Sequence, residues 1–289
     1  MRHDIRFEEI KKEELEMRGK KESRKNKTAG KMGARNAVYT AMMVIFLVVF
    51  CGCAWKTFQD IRTMKDHSKK SLSVYKPQKK EEDGRMSFDD VLNLNEDTVA
   101  WVTVDNTGID YPIMQAPDNA KYVNTNARGE PSIGGCPFLD CRNTPDFSDA
   151  YNIVYGHAME GGVLFGDIKK FVDQGYLERH QTGTLMTKDG RVWDVTFFAC
   201  VKTDAYDMNA FTNIKEMTDE IDAKFRTWMA EHVESYTEDP EEGNIISLST
   251  CESPLNNGRI LLYGRYVEHH ETETVTDNQE NEKEEKIKK

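Results

Sequence analysis

From Ala37 to Trp55 the chain runs 19 residues without a charge, AVYTAMMVIFLVVFCGCAW. At about 1.5 Å per residue, a helix of that length crosses a hydrocarbon core of about 30 Å. Tyr39 and Trp55 stand near its ends, where amphipathic rings anchor at a membrane interface. The bland alternative is a buried core helix, but the flanks are strongly charged and no polar stripe breaks the run. A cleaved signal peptide would need a small-x-small site and a short leader. No such site follows cleanly, and 36 residues precede the run. The expectation is an uncleaved single-pass transmembrane anchor over 37–55.

The formal net charge of −11 is unevenly spread. Residues 1–36 hold 12 Lys/Arg against 7 Asp/Glu, and the other 253 residues hold 27 against 43. An acidic main body argues against nucleic acid as partner, and a basic segment beside an apolar run points to membrane lipid. Fifteen residues on either side of the run carry five Lys/Arg each; over twenty residues the count is eight before and five after. That bias puts the N-terminus in the cytoplasm and the large C-terminal part outside.

Five zones follow: a basic cytoplasmic tail over 1–36, the anchor over 37–55, a charged stalk over 56–85, a folded domain over 86–267, and a disordered polar tail over 268–289. With 13 Phe, 11 Tyr and 4 Trp the chain can build a core, which excludes disorder throughout. Of the six cysteines, Cys51 and Cys53 lie in the anchor and the other four are scattered. Without C-x-x-C pairs, structural zinc is not expected, and whether Cys136 and Cys141 pair is left open. No metal site or cofactor is expected.

Within the domain, Ser87 and Asp90 form a capping pattern before Val91, Leu92 and Leu94, a short helix. The pattern then becomes mostly strand: Val99–Val104, a turn over Asp105–Gly108, Ile109–Met114, Asn152–Tyr155, Thr184–Thr187, Val192–Val201, Asn244–Thr250 and Arg259–Val267. In Val192–Val201 the alternation puts Trp193, Val195, Phe197 and Ala199 on one face. One longer helix is expected from Asn213 as cap to about Glu234, with Ile214, Met217, Ile221, Phe225 and Trp228 at helical spacing. Trp228 and Phe225 are read as core. The sum is a mostly β fold, a β-barrel with short helices and one longer helix.

Three strand ends carry chemistry-bearing residues. Asn152–Tyr155 runs into Gly156-His157, Ile246–Thr250 runs into Cys251, and Arg259 opens the last strand. Singly, a His after Gly is usually a turn residue, a Cys in an apolar strand a small core hydrophobe, and an Arg at a hairpin solvated. Together they make a set. A free thiol near pKa 8.5 needs a His or a cation nearby to favour thiolate. Acyl transfer then needs a donor for the developing oxyanion, and Arg carries a permanent charge. The other histidines lie in tails, the stalk, a polar stretch or the longer helix.

These segments resemble the sortases, cysteine transpeptidases of Gram-positive cell surfaces. Ser247-Leu248-Ser249-Thr250-Cys251 is similar to the T-L-x-T-C strand of that family, Tyr155-Gly156-His157 to its Y-G-H segment, and Arg259, eight residues after Cys251, to its strand-opening Arg. The His, Cys, Arg order is also that of the family, and the resemblance covers about residues 86–267. Asp97–Val102, Asn106–Ile113 with Gln115, Phe165 and the longer helix before the Cys strand resemble class B. Ser247 stands where Thr is usual, and Ala158 where class B often has Asn. The resemblance implies a closed sortase-type barrel, with Cys251 as nucleophile, Arg259 holding the oxyanion and His157 moving the proton through a thioester. Ser249, Thr250 and Glu252 would line the substrate groove. Substrates would be secreted proteins with a C-terminal sorting signal, and the acceptor a peptidoglycan precursor amine. Class A relatives that use calcium have an acidic loop that is not matched here.

Three other readings fit less well. A papain-like or NlpC-like hydrolase has its Cys before its His and at a helix start. An L,D-transpeptidase has an S-x-G-C pattern, absent here. A tethered binding module would leave Cys251 structural. A pilin-polymerising sortase is the alternative within the family; Asp83-Gly84 does not match its lid motif, so wall anchoring is the expectation. The charge bias yields a first prediction. Protease added to intact cells should digest the region after residue 55 and leave the 1–36 tail protected, read by antibodies to tags at each end.

Overall fold

A computed structural model describes residues 17–22, 38–58, 61, 72–80, 86–253 and 256–269. The chain divides into two compact units, 1–62 and 63–289. In the first, helix α1 (Val38–Phe58) has a mean hydropathy of 2.2 and none of its residues is buried. It is long and apolar enough to cross a membrane. Most of the 1–36 tail and all but the first two residues of the 268–289 tail lie outside the described residues.

The second unit begins with residues that the sequence reading assigned to the stalk. Leu72 is buried in the main core, and Lys76 Nζ donates to Asp110 Oδ1 at 2.9 Å and to Thr103 Oγ1 at 2.9 Å. Strand β1 (Gln78–Lys79) pairs with β2 (Met86–Ser87). Helix α2 (Asp89–Leu94) forms where expected, but Phe88 occupies its cap position without a side-chain bond; the Ser87 hydroxyl donates to Asp89 Oδ2 instead.

Nine further strands follow: β3 (Thr98–Val104), β4 (Asp110–Met114), β5 (Phe138–Leu139), β6 (Tyr151–Tyr155), β7 (Thr182–Thr187), β8 (Val192–Asp204), β9 (Val233–Tyr236), β10 (Asn244–Cys251) and β11 (Gly258–Glu268). Their order is β11-β10-β6-β5-β4-β3-β7-β8-β9, and β8 also pairs with β11. That pairing closes an eight-stranded barrel and leaves β9 as an extra strand beside β8. The expected mostly β, sortase-type closed barrel is therefore what the chain forms. Pairing is antiparallel except between β4 and β5 and between β6 and β10.

The alternation read for β8 fails at a bulge. Tyr263 pairs with Ala199 and Gly264 with Phe197, so Phe198 is left over. The extra residue reverses the phase of everything after it. Val195, Phe197 and Cys200 enter the barrel core, whereas Phe198, Ala199 and Val201 join a second cluster. Ala199 thus faces away from Val195, against the sequence expectation.

The second cluster is covered by α4 (Asp219–His232); α3 (Gln174–Arg179) is a short helix in the β6–β7 connection. Helix α4 starts later than the Asn213 cap predicted. Ile214 makes a β-bridge with Tyr151, which holds that stretch extended, and the Thr218 hydroxyl accepts the Ile221 N–H as the actual cap. Phe225, Trp228 and Met229 are buried as expected, with the Phe225 and Tyr263 rings 5.5 Å apart. The helix ends at His232 because Val233 turns extended and pairs with Val201. Strands β1, β2, β5 and β9 were missed, being too short or too polar to show a period.

Arg265 and Asp239 form a buried pair that ties β11 to the β9–β10 connection, with Arg226 of α4 3.2 Å from the same carboxylate. Burial alone would raise the Asp239 pKa; bonds and charge from Arg265 outweigh it and hold the carboxyl below its usual range. Asp239→Ala would strand the Arg265 charge, and should cost about 3–5 kcal/mol in urea unfolding. Because the folded pKa is lowered, this contribution is complete above about pH 4 and is lost as pH falls further, which a pH series of the same unfolding curve measures.

Candidate active site

Parallel pairing brings the reactive strand ends together. Strands β6 and β10 run side by side in the same direction, so they finish at the same end of the barrel. Tyr155 lies opposite Ser249, and the Gly156 N–H donates to the Ser249 carbonyl at 3.0 Å. Strand β11 returns antiparallel, so it starts where β10 stops, and Arg259 is the register partner of Cys251. Directly opposite residues have Cβ atoms about 4.5–5.5 Å apart. His157, Cys251 and Arg259, with Ser249 and Thr250, line one cavity of about 350 Å³.

His157 sits at the base of a tight loop. The Phe165 N–H donates to its carbonyl at 3.0 Å, and Ala158 bridges to Leu164. The residue before it must be glycine: a Cβ on Gly156 would lie 2.6 Å from the Phe165 ring. The Thr250 hydroxyl donates to the Gly156 carbonyl at 2.7 Å, linking the end of β10 to the residue before the histidine. His157 Nε2 is 3.0 Å from the Val123 carbonyl oxygen. A carbonyl only accepts, so this contact requires the proton on Nε2 and leaves Nδ1 for exchange in the neutral ring.

Cys251 is a free, half-buried thiol. The barrel thiols Cys136 and Cys200 are buried, and desolvation pushes Cys136 up strongly and Cys200 up to about 12. Cys136 and Cys141 are both free, which resolves the pairing left open above. One Arg259 N–H group, Nη1, donates back to the Gly258 and Asn257 carbonyls. The other arm of the guanidinium has no partner among the described residues. Ser249 Oγ is buried in the cavity wall and also has no partner among them.

Glu252 is not among the lining residues. Its carboxylate accepts from Asn256 Nδ2 at 3.1 Å, faces Lys202 at 3.7 Å and packs where a side chain at Gly258 would stand. Much of the rest of the cavity wall was not legible in sequence: Asn119, Tyr122, Val123 and Phe211 come from connections without a motif, and Phe138 from the short strand β5. Cys136, a buried thiol, also lines it.

The chain matches no family model. It is 34% identical to sortase B of Listeria monocytogenes over 181 residues, 62% of this chain and 73% of that protein. This chain belongs to the class B sortases. A crystal structure of a Streptococcus pyogenes class B sortase involved in pilus biogenesis is 36% identical, with TM-score 0.57, covering 63% of this chain and 98% of that one. Bacillus anthracis sortase B, solved in complex with AAEK1, is 27% identical with TM-score 0.63, covering 73% and 100%. As a sortase, the protein is a cysteine transpeptidase.

The Thr250 bond generates a prediction. Thr250→Val removes a buried donor and puts a side chain of the same shape in its place, at a cost of about 1 kcal/mol. That should lower Tm by roughly 2–4 °C in a calorimetric scan.

Proposed function

We propose that Cys251, His157 and Arg259 carry the transpeptidase reaction. The supporting observation is that the one half-buried thiol of the barrel wall with an Arg as its cross-strand partner shares a cavity with a histidine held by a backbone carbonyl. In the first step Cys251 Sγ, as thiolate, bonds to the carbonyl carbon of a Thr in the sorting motif. The carbonyl oxygen becomes an oxyanion beside the Arg259 guanidinium. The peptide C–N bond breaks, protonated His157 gives its proton to the leaving amine, and a thioester remains. In the second step an incoming amine loses a proton to His157 and attacks the thioester. The new peptide bond forms as the thiolate leaves.

Ser249 and Thr250 serve as groove residues in this reading. The unpartnered Ser249 hydroxyl supports that role, while Thr250 acts through Gly156. Glu252 flanks the nucleophile and acts at the groove edge. The substrates are secreted proteins carrying a C-terminal sorting signal, and the acceptor is a peptidoglycan precursor amine. Helix α1 serves as a membrane anchor with the N-terminus cytoplasmic and the domain of about 86–267 outside. A pilin lysine as acceptor is the second reading, favoured by the 36% identical relative involved in pilus biogenesis.

The full chain in detergent, mixed with a panel of sorting-type peptides and either a glycine-type or a lysine-type amine, tests both readings by intact mass. A peptide fragment on Cys251 that is released by amine establishes transfer, and the amine accepted separates wall anchoring from pilus assembly. No adduct across the panel, with Cys251 also resistant to alkylation, would sink the assignment. Cys251→Ala should abolish the adduct. Arg259→Ala should lower kcat by about 100- to 1000-fold, as loss of an oxyanion donor does. Arg259→Lys should recover only part, since it lacks the planar fork.

A further inference from the structure

Two aromatic residues of the cavity wall, Tyr155 and Phe211, come from chain segments far apart in sequence. Their rings stack with centroids 6.1 Å apart, and Tyr155 also packs on Phe138 at 5.4 Å. Tyr155 is held from its strand. Phe211 is not: it lies in the 205–218 connection between β8 and α4, which is turns and bends apart from the one bridge at Ile214.

What spans the two is Arg142. Its Nε donates to Asp140 Oδ1 at 2.8 Å and its Nη2 to Asp140 Oδ2 at 2.7 Å, a two-pronged grip on a fully buried carboxylate. The same Nη2 donates to the Phe211 carbonyl at 2.9 Å. The Tyr155 hydroxyl donates to Asp140 Oδ2 at 2.9 Å. A closed ring results: Arg142 to Asp140, Asp140 to Tyr155, Tyr155 to Phe211 by stacking, and Phe211 back to Arg142. Lys215 Nζ adds a second tie, donating to the Arg142 carbonyl at 2.9 Å.

The chemistry of the ring asks for arginine at 142. A planar guanidinium can grip a carboxylate with two prongs and still reach a carbonyl, which an ammonium at the same place cannot do. Without it, Asp140 would be a buried carboxylate with Tyr155 as its remaining side-chain donor, and the Phe211 carbonyl would lose the side chain that holds it. The cavity wall would then be free to part between Tyr155 and Phe211.

We propose that Arg142 is a positioning residue for substrate recognition: it fixes the Tyr155–Phe211 wall of the cavity, so that the sorting peptide meets a preformed aromatic face. The proposal rests on this cavity being the peptide site, as set out above. It acts on binding of the peptide and not on the thiol, since Arg142 reaches neither Cys251 nor His157.

The test uses the full chain in detergent. Arg142→Ala should raise KM for a sorting peptide about tenfold, the size expected for losing bonds to a charged group, while kcat and iodoacetamide alkylation of Cys251 change less than about threefold. Arg142→Lys should fall between wild type and Ala. In a Phe211→Ala background, Arg142→Ala should add little, because the two act through one wall. Amide hydrogen exchange over 205–218 should quicken in Arg142→Ala. The proposal is overturned if KM is unmoved, if the two substitutions add fully, or if alkylation and kcat fall in step with a lower Tm. Should wild type turn over no sorting peptide, the functional reading fails by itself. The exchange measurement then still decides the clamp, and unchanged exchange over 205–218 in both Arg142 variants overturns it.

Discussion

The arrangement depends on the parallel pairing of β6 with β10 inside a closed barrel. Strands that run the same way end at the same rim, so the histidine after β6 and the cysteine ending β10 are brought together from positions 94 residues apart. A β11 that returns antiparallel then has no freedom about where it starts, and Arg259 arrives opposite Cys251. A one-residue slip in either pairing would turn every side chain of the slipped strand to the other face. The barrel interior, filled by residues such as Phe197, Cys200, Leu248 and Leu262, opposes such a slip because each would be turned out of the core it fills.

Two apolar layers protect that register. The barrel core fills the inside, and a second cluster on the outside of β6, β8, β10 and β11 lies under α4. Strand β8 serves both by alternation, and the Phe198 bulge reverses which of its later residues face in. Buried polar groups then tie the connections to the barrel: Asp239 with Arg265, Asp140 with Arg142 and Tyr155, and Tyr151, whose hydroxyl donates to the Ala210 carbonyl at 2.8 Å. Each is bonded, which is what makes burial of such groups tolerable. The connections that complete the cavity are thereby tied to the strands beneath them.

Much of the fold was legible because it rests on local chemistry. Seven of the strands announced themselves by β-branched and aromatic runs, and the apolar run from Ala37 by its length. The errors fall where long-range contacts override local pattern. Asn213 could cap a helix, yet Ile214 is engaged by Tyr151 some 60 residues away, so the helix waits for Thr218. Leu72 and Lys76 sit in a polar stretch that reads as a stalk, and only the Asp110 carboxylate and the core pocket reveal that they are part of the folded unit.

Sequence by itself determined which residue types were available for acyl transfer and that they stood at strand ends: Gly156-His157, Thr250-Cys251 and Arg259. It also determined the apolar helix near the N-terminus, since 19 consecutive residues without a charge are a matter of residue order alone. Tertiary structure decided which strands are neighbours, and with that the meeting of the three residues in one cavity. It decided too which nitrogen of His157 is committed, through the Val123 carbonyl, and which aromatic rings wall the cavity. The physical reason is the same throughout. A residue's chemistry is written in its side chain, but its partners are set by strand register and loop closure, which bring together groups with no pattern linking them along the chain.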